Sequence, residues 1–110
     1  MLEETRVRTI PEMGPAHNRR REERFSVLFR TVLIEAEMLG EPTEIINIAR
    51  LGFLARTPIQ KTKGSLVQLR LPIIGSIEAQ VAWCANGLLG GRFERPIDER
   101  VFSRLLQSLA

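Results

Sequence analysis

The chain is poor in the side chains that usually build metal centres and nucleophilic sites: it has one cysteine, one histidine, one tryptophan and no tyrosine. Cys84 has no partner for an internal disulfide, and together with His17 it makes no ligand set of known spacing, so structural zinc is not expected. Long apolar runs are missing too. None reaches the roughly 18 to 20 residues that a membrane span needs, and the N-terminus lacks the apolar segment of a secretory signal. A cytoplasmic protein with no membrane insertion is the expectation. Lysine is also scarce. Only Lys61 and Lys63 occur, so fourteen of the sixteen basic residues are arginine, the side chain whose planar fork suits phosphate, guanine edges and stacking on flat rings. A GC-rich genome, which favours arginine codons, produces the same bias, so position has to decide what it means. The net charge of +3 is too mild for a polycation that coats nucleic acid or membrane.

What is present is the material of one domain. At 110 residues, 44% hydrophobic and 26% charged, the chain can bury one modest core. Residues 1–18 mix charge with Pro11, Gly14 and Pro15 and hold no sustained period, which reads as a flexible N-terminal tail. The domain proper is expected over 19–110. Arg19-Arg20-Arg21-Glu22-Glu23-Arg24 forms a basic lead-in. From Phe25 to about Glu37 the β-branched and aromatic content predicts a long first strand. Gly40-Glu41-Pro42 is expected to turn, Thr43 to Ile48 to form a second strand, and Phe53 to Thr57 a third. Lys61, Lys63 and Gly64 mark a loop. Val67, Leu69 and Leu71 alternate with polar residues, as do Ile77, Ala79, Val81 and Trp83, which places Trp83 in the core. Asn86-Gly87 has hairpin composition, and Leu88 to Glu94 returns as the sixth strand. The period then changes. Ile97, Val101, Phe102, Leu105, Leu106 and Leu109 share one side of a helix, with Asp98 as N-cap and Ile97 stapling against Phe102. The fold class is therefore all-β with one C-terminal helix, the strands forming a small antiparallel barrel or a strongly curled sheet, since closure removes exposed edges.

Catalysis finds little support. No nucleophile and base stand with a third orienting group, and no phosphate-cradling or dinucleotide loop lies in the required strand-to-helix context, so an enzyme is not expected. Binding chemistry is better represented. The arginine cluster sits just before the first strand, and Asn47-Ile48-Ala49-Arg50-Leu51-Gly52 sits between the second and third. Arginine can grip guanine O6 and N7 or a phosphate, Asn47 can donate and accept along a base edge, and Gly52 can take φ > 0 and admit a ligand to the backbone. The plain alternatives are a solvated charge run and an ordinary turn.

Arg20 to Arg24 fits RxxxR before a strand, and Asn47 to Gly52 fits D/N-x-S/A-x-x-G between two strands. Together they resemble the signature of the PilZ domain family, and Val81-Ala82-Trp83 followed by Gly91-Arg92-Phe93 resembles its later strand pair. The resemblance runs from about Arg19 to Leu109. It implies a six-stranded PilZ-like split barrel with a terminal helix that binds cyclic di-GMP, a bacterial second messenger, and signals through altered interaction with an unknown protein partner. Carried over, it makes Arg20 and Arg24 the grippers of base and phosphate, lines the opposite wall with Asn47 and Ala49, and lets Gly52 form the tight turn. Arg21 and Arg50 complete the candidate contacts. No catalytic cofactor is implied. Ala49 stands where serine is commoner, neutral Asn47 where aspartate is usual, and Leu51 where a second glycine is frequent. A degenerate module that keeps the barrel but binds only protein is the second reading, and a barrel for single-stranded nucleic acid the third.

Overall fold

Alternating burial organises the fold. In a computed structural model that describes the backbone of residues 8–9 and the whole of residues 23–35 and 39–109, seven strands and one helix follow one another. They are β1 (Arg8–Thr9), β2 (Phe25–Glu35), β3 (Glu41–Ile48), β4 (Gly52–Arg56), β5 (Leu66–Leu71), β6 (Gly75–Ala85), β7 (Leu88–Phe93) and α1 (Glu99–Leu109). All pairings are antiparallel. The sheet runs β1-β2-β3-β4-β7-β6-β5, and β5 pairs back onto β2. That last pairing, Leu33↔Leu69, Ile34↔Gln68 and Glu35↔Val67, closes β2 to β7 into the expected six-stranded barrel and removes the two edges an open sheet would expose. β1 is an addition. It lies within the segment expected as a tail and pairs Arg8 with Ser26 and Thr9 with Phe25.

The barrel interior is filled by the inward half of each alternating strand. Val67, Leu69 and Leu71 point inward from β5, and Ala79 and Val81 from β6, joined by Leu33, Ile45, Ile48, Phe53 and Leu89. Fully burying each such large side chain stabilises by about 1.5 to 3 kcal/mol. The helix caps one region of this core with Phe102 and Leu105, both buried. Asp98 is its N-cap, since Oδ2 accepts from the backbone N–H of Arg100 (3.0 Å) and Val101 (3.4 Å), groups that otherwise lack partners in a first helical turn. Ile97 and Phe102 share the core cluster, as a staple requires. Val101 does not join them. It lies outside the Phe102–Leu105–Leu109 stripe and is exposed.

Three more expectations change. Glu41 and Pro42 belong to β3 rather than to a turn, with Pro42 opposite Val32. The proline is tolerated because β4 reaches only as far as Glu44 along β3, so Pro42 lies past that neighbour, as proline in a sheet must. Trp83 is not in the core. A bulge between Val81 and Trp83 inserts Ala82 and resets the alternation, so Trp83 turns to the outside with 45% of its surface exposed. Lys61, expected only to mark a loop, is buried. Its ammonium lies 3.1 Å from Glu35 Oε1 and 2.9 Å from Glu41 Oε1, although the Glu41 oxygen is not aligned for a hydrogen bond. The Asn86-Gly87 hairpin has φ of 55° and 80° at its two central residues, the type I′ pattern that matches strand twist. No helix among the described residues is long and apolar enough to cross a membrane.

Candidate functional site

The turn between β3 and β4 is held from three sides. Within it, the Ala49 N–H donates to Gly52 O at 2.8 Å. On the β7 side, the Phe93 N–H donates to Leu51 O at 2.8 Å. Towards the helix, the Ile97 N–H donates to Arg50 O at 2.9 Å. Gly52 then opens β4 opposite Arg92. A Cβ there would collide with the Gly91 carbonyl oxygen on the adjacent strand. The glycine is required by that close approach and not by φ > 0, since among the described residues the positive-φ glycines are Gly64, Gly75 and Gly87.

Arg24 immediately precedes β2, and the β2–β3 register sets Ser26 opposite Asn47. The two motifs therefore meet. Arg24 Nε donates to Asn47 Oδ1 at 3.1 Å across 23 residues of sequence. Asn47 is half-buried and neutral, so it orients the guanidinium through a hydrogen bond without forming an ion pair with it. Arg20 and Arg21 lie outside the described residues.

Beside this contact is a hollow of about 170 Å³, lined by Arg24, Gly52, Trp83, Gly90 and Arg92 among others. Trp83 reaches it because of the bulge, and its indole occupies the space that a side chain at Gly90 would take. The site thus combines two cationic side chains, one exposed aromatic ring and a glycine-lined floor. Trp83 and Arg92 were not among the candidates read from sequence. A signal for Trp83 does exist: counting back from the Asn86-Gly87 turn pairs Ala85 with Leu88, Cys84 with Leu89 and Trp83 with Gly90. A tryptophan opposite a glycine has room to lie across the neighbouring strand.

Two expected contacts are placed elsewhere. Ala49 is fully buried and presents no side-chain surface to a wall of the hollow. Arg50 turns towards the helix, where its Nε donates to Ile97 O at 2.6 Å and its Nη1 lies 3.5 Å from Glu99 Oε2. Among the described residues no cluster of histidine, cysteine and acidic groups could hold a metal ion.

Comparison with protein families adds the finding that decides the class: the family model of the PilZ domain matches residues 18–110. The chain belongs to the PilZ domain family. The match takes in both motifs, the whole barrel and the helix. PilZ domains are typically binding or adaptor modules rather than enzymes, and their general role is reception of cyclic di-GMP. Neither the curated proteins nor the solved structures compared contain a match.

Proposed function

We propose that this PilZ domain is a non-catalytic cytoplasmic receptor that binds cyclic di-GMP over the hollow beside Arg24 and answers by changing its contacts with a protein partner. The observation that carries the reading is the Arg24–Asn47 hydrogen bond at the rim of that hollow. It supports a guanidinium oriented at the hollow by the Asn47 amide, a bond worth about 0.5 to 1.5 kcal/mol net, and a guanidinium fork is the group that suits guanine O6 and N7 or a phosphate. Arg92 adds a second positive charge, and the exposed face of Trp83 offers a ring on which a base can stack for about 1 to 3 kcal/mol.

At about 170 Å³ the hollow is smaller than the roughly 300 to 1,000 Å³ of pockets that enclose a small molecule. The dinucleotide would therefore seat one part there and extend across the surface, with Arg20 and Arg21 of the lead-in as its further grips. Gly52 lines the hollow, and Asn47 acts one step behind it by holding Arg24. Isothermal titration of cyclic di-GMP into the full chain is expected to show saturable binding, weakened at least about tenfold, or roughly 1.4 kcal/mol, by Arg24→Ala. Mixing without heat at high protein concentration overturns the proposal.

The second reading, a PilZ domain that only binds protein, draws on neutral Asn47 and buried Ala49, which together remove one charge and one hydroxyl from the turn. Capture of a partner that is indifferent to added dinucleotide would favour it.

A further inference from the structure

We propose that Arg50 is a positioning residue that couples occupation of the hollow to the seating of α1, an inference that rests on the receptor reading above. Arg50 is joined to the residue before the helix cap in both directions. Its carbonyl accepts from the Ile97 N–H at 2.9 Å, its Nε donates to Ile97 O at 2.6 Å, and its Nη1 approaches Glu99 in the first turn at 3.5 Å. A displacement of the turn is therefore passed to Ile97, then to Asp98, and so to the start of the helix. Three residues before Arg50, Asn47 holds Arg24. One residue after it, Leu51 lines the hollow itself.

A second attachment runs in parallel. Phe25 follows Arg24 directly and meets Phe102 of α1 edge to face, with ring centroids 5.8 Å apart. Between the two attachments lies a space of about 490 Å³ lined by Phe25, Arg50, Leu51, Glu99, Phe102 and Leu106. Close-packed interiors resist small displacements, whereas this half-open groove, as the described residues form it, leaves the helix room for a second seating. Leu51 borders both spaces, so the turn is the partition between ligand site and helix. The outer face of α1, with Arg100, Arg104 and Gln107, is exposed and would carry the change to a partner.

The test measures binding and helix response separately in the full chain. Cyclic di-GMP is titrated calorimetrically, and amide hydrogen exchange is followed in peptides covering 97–109 with and without it. In the unmodified protein the dinucleotide is expected to change exchange in these peptides several-fold. Arg50→Ala is expected to bind as tightly or more tightly, because the ligand no longer works against the tether, while the ligand-dependent change in 97–109 is lost. Arg24→Ala is expected to lose both together. Arg50→Lys keeps the charge without the fork, and is expected to bind normally with a reduced helix response; it decides the matter if Arg50→Ala does not fold. The proposal is overturned if Arg50→Ala weakens binding by more than about tenfold, which would make Arg50 a ligand contact, or if either variant keeps the full helix response. Binding in the unmodified protein with no change in 97–109 overturns the coupling alone, whereas absence of binding there removes the receptor reading and the coupling with it.

Discussion

Gly52 shows how narrowly the site is specified at the level of single residues. Its missing Cβ is what lets β4 approach the Gly91 carbonyl on β7, and the same approach brings Arg92 to the rim beside Arg24. Gly52→Ala is expected to destabilise the fold by about 1 to 3 kcal/mol, as overpacking does when the obstructing atom is backbone. Urea unfolding of the two proteins checks this, and equal midpoints would contradict it. Gly52 was legible as essential to the turn, but the reason inferred from sequence, a left-handed backbone, was not the one that operates. Residue type alone could not reveal a strand partner forty residues away.

Among the elements, the hairpins divide into relaxed and strained. Asn86-Gly87 places residues that tolerate positive φ where the β6–β7 turn needs them. The β5–β6 connection, Pro72 to Ile74, does not: exposed Ile73 has φ of 57°, a conformation that costs a β-branched residue of the order of 1 to 3 kcal/mol. Ile73→Asn is expected to raise stability by about 1 kcal/mol, seen as a higher denaturation midpoint with an unchanged slope. A lower midpoint would count against strain at this position. Strand alternation, the Asn86-Gly87 hairpin and the Asp98 cap are all local signals, and each could be read from the chain, though the I′ type of the hairpin came only with its φ angles. The Ala82 bulge is set by the opposing β7 strand, which is why alternation alone sent Trp83 to the wrong side. Asn47 and Arg24 could be named from their motifs, yet their contact depends on the β2–β3 register. Arg92 carried no signal until that of its neighbours was known.

For the whole molecule, Lys61 acts as a clip. From the chain after β4 it reaches the end of β2 through Glu35 and the start of β3 through Glu41, while its own N–H donates to Cys84 Sγ of β6 at 3.3 Å. Burial by itself would push its pKa down, but the close contacts and charges of Glu41 and Glu35 prevail and hold it above its ordinary 10.5. A raised pKa means that the folded state binds this proton more tightly. The contribution is therefore complete below pH 10.5 and declines as pH rises through the higher folded value. Lys61→Met is expected to cost about 3 to 5 kcal/mol, because it leaves carboxylates in a poorly solvated site without their counter-charge. Denaturant unfolding from pH 7 to 11 should show a gap between the two proteins that narrows only at the alkaline end. A gap that widens there would show the sign to be wrong. Nothing local in the sequence marked Lys61 as buried, since its partners lie twenty or more residues away.

The receptor reading makes its sharpest demand on Trp83, the one tryptophan in the chain, which lines the hollow beside Arg24. Its emission, followed while cyclic di-GMP is titrated into the full chain, should change saturably with the midpoint found by calorimetry, and the change should vanish in Arg24→Ala. Emission that stays constant while calorimetry shows saturation would place the ligand elsewhere and contradict the assignment of the site.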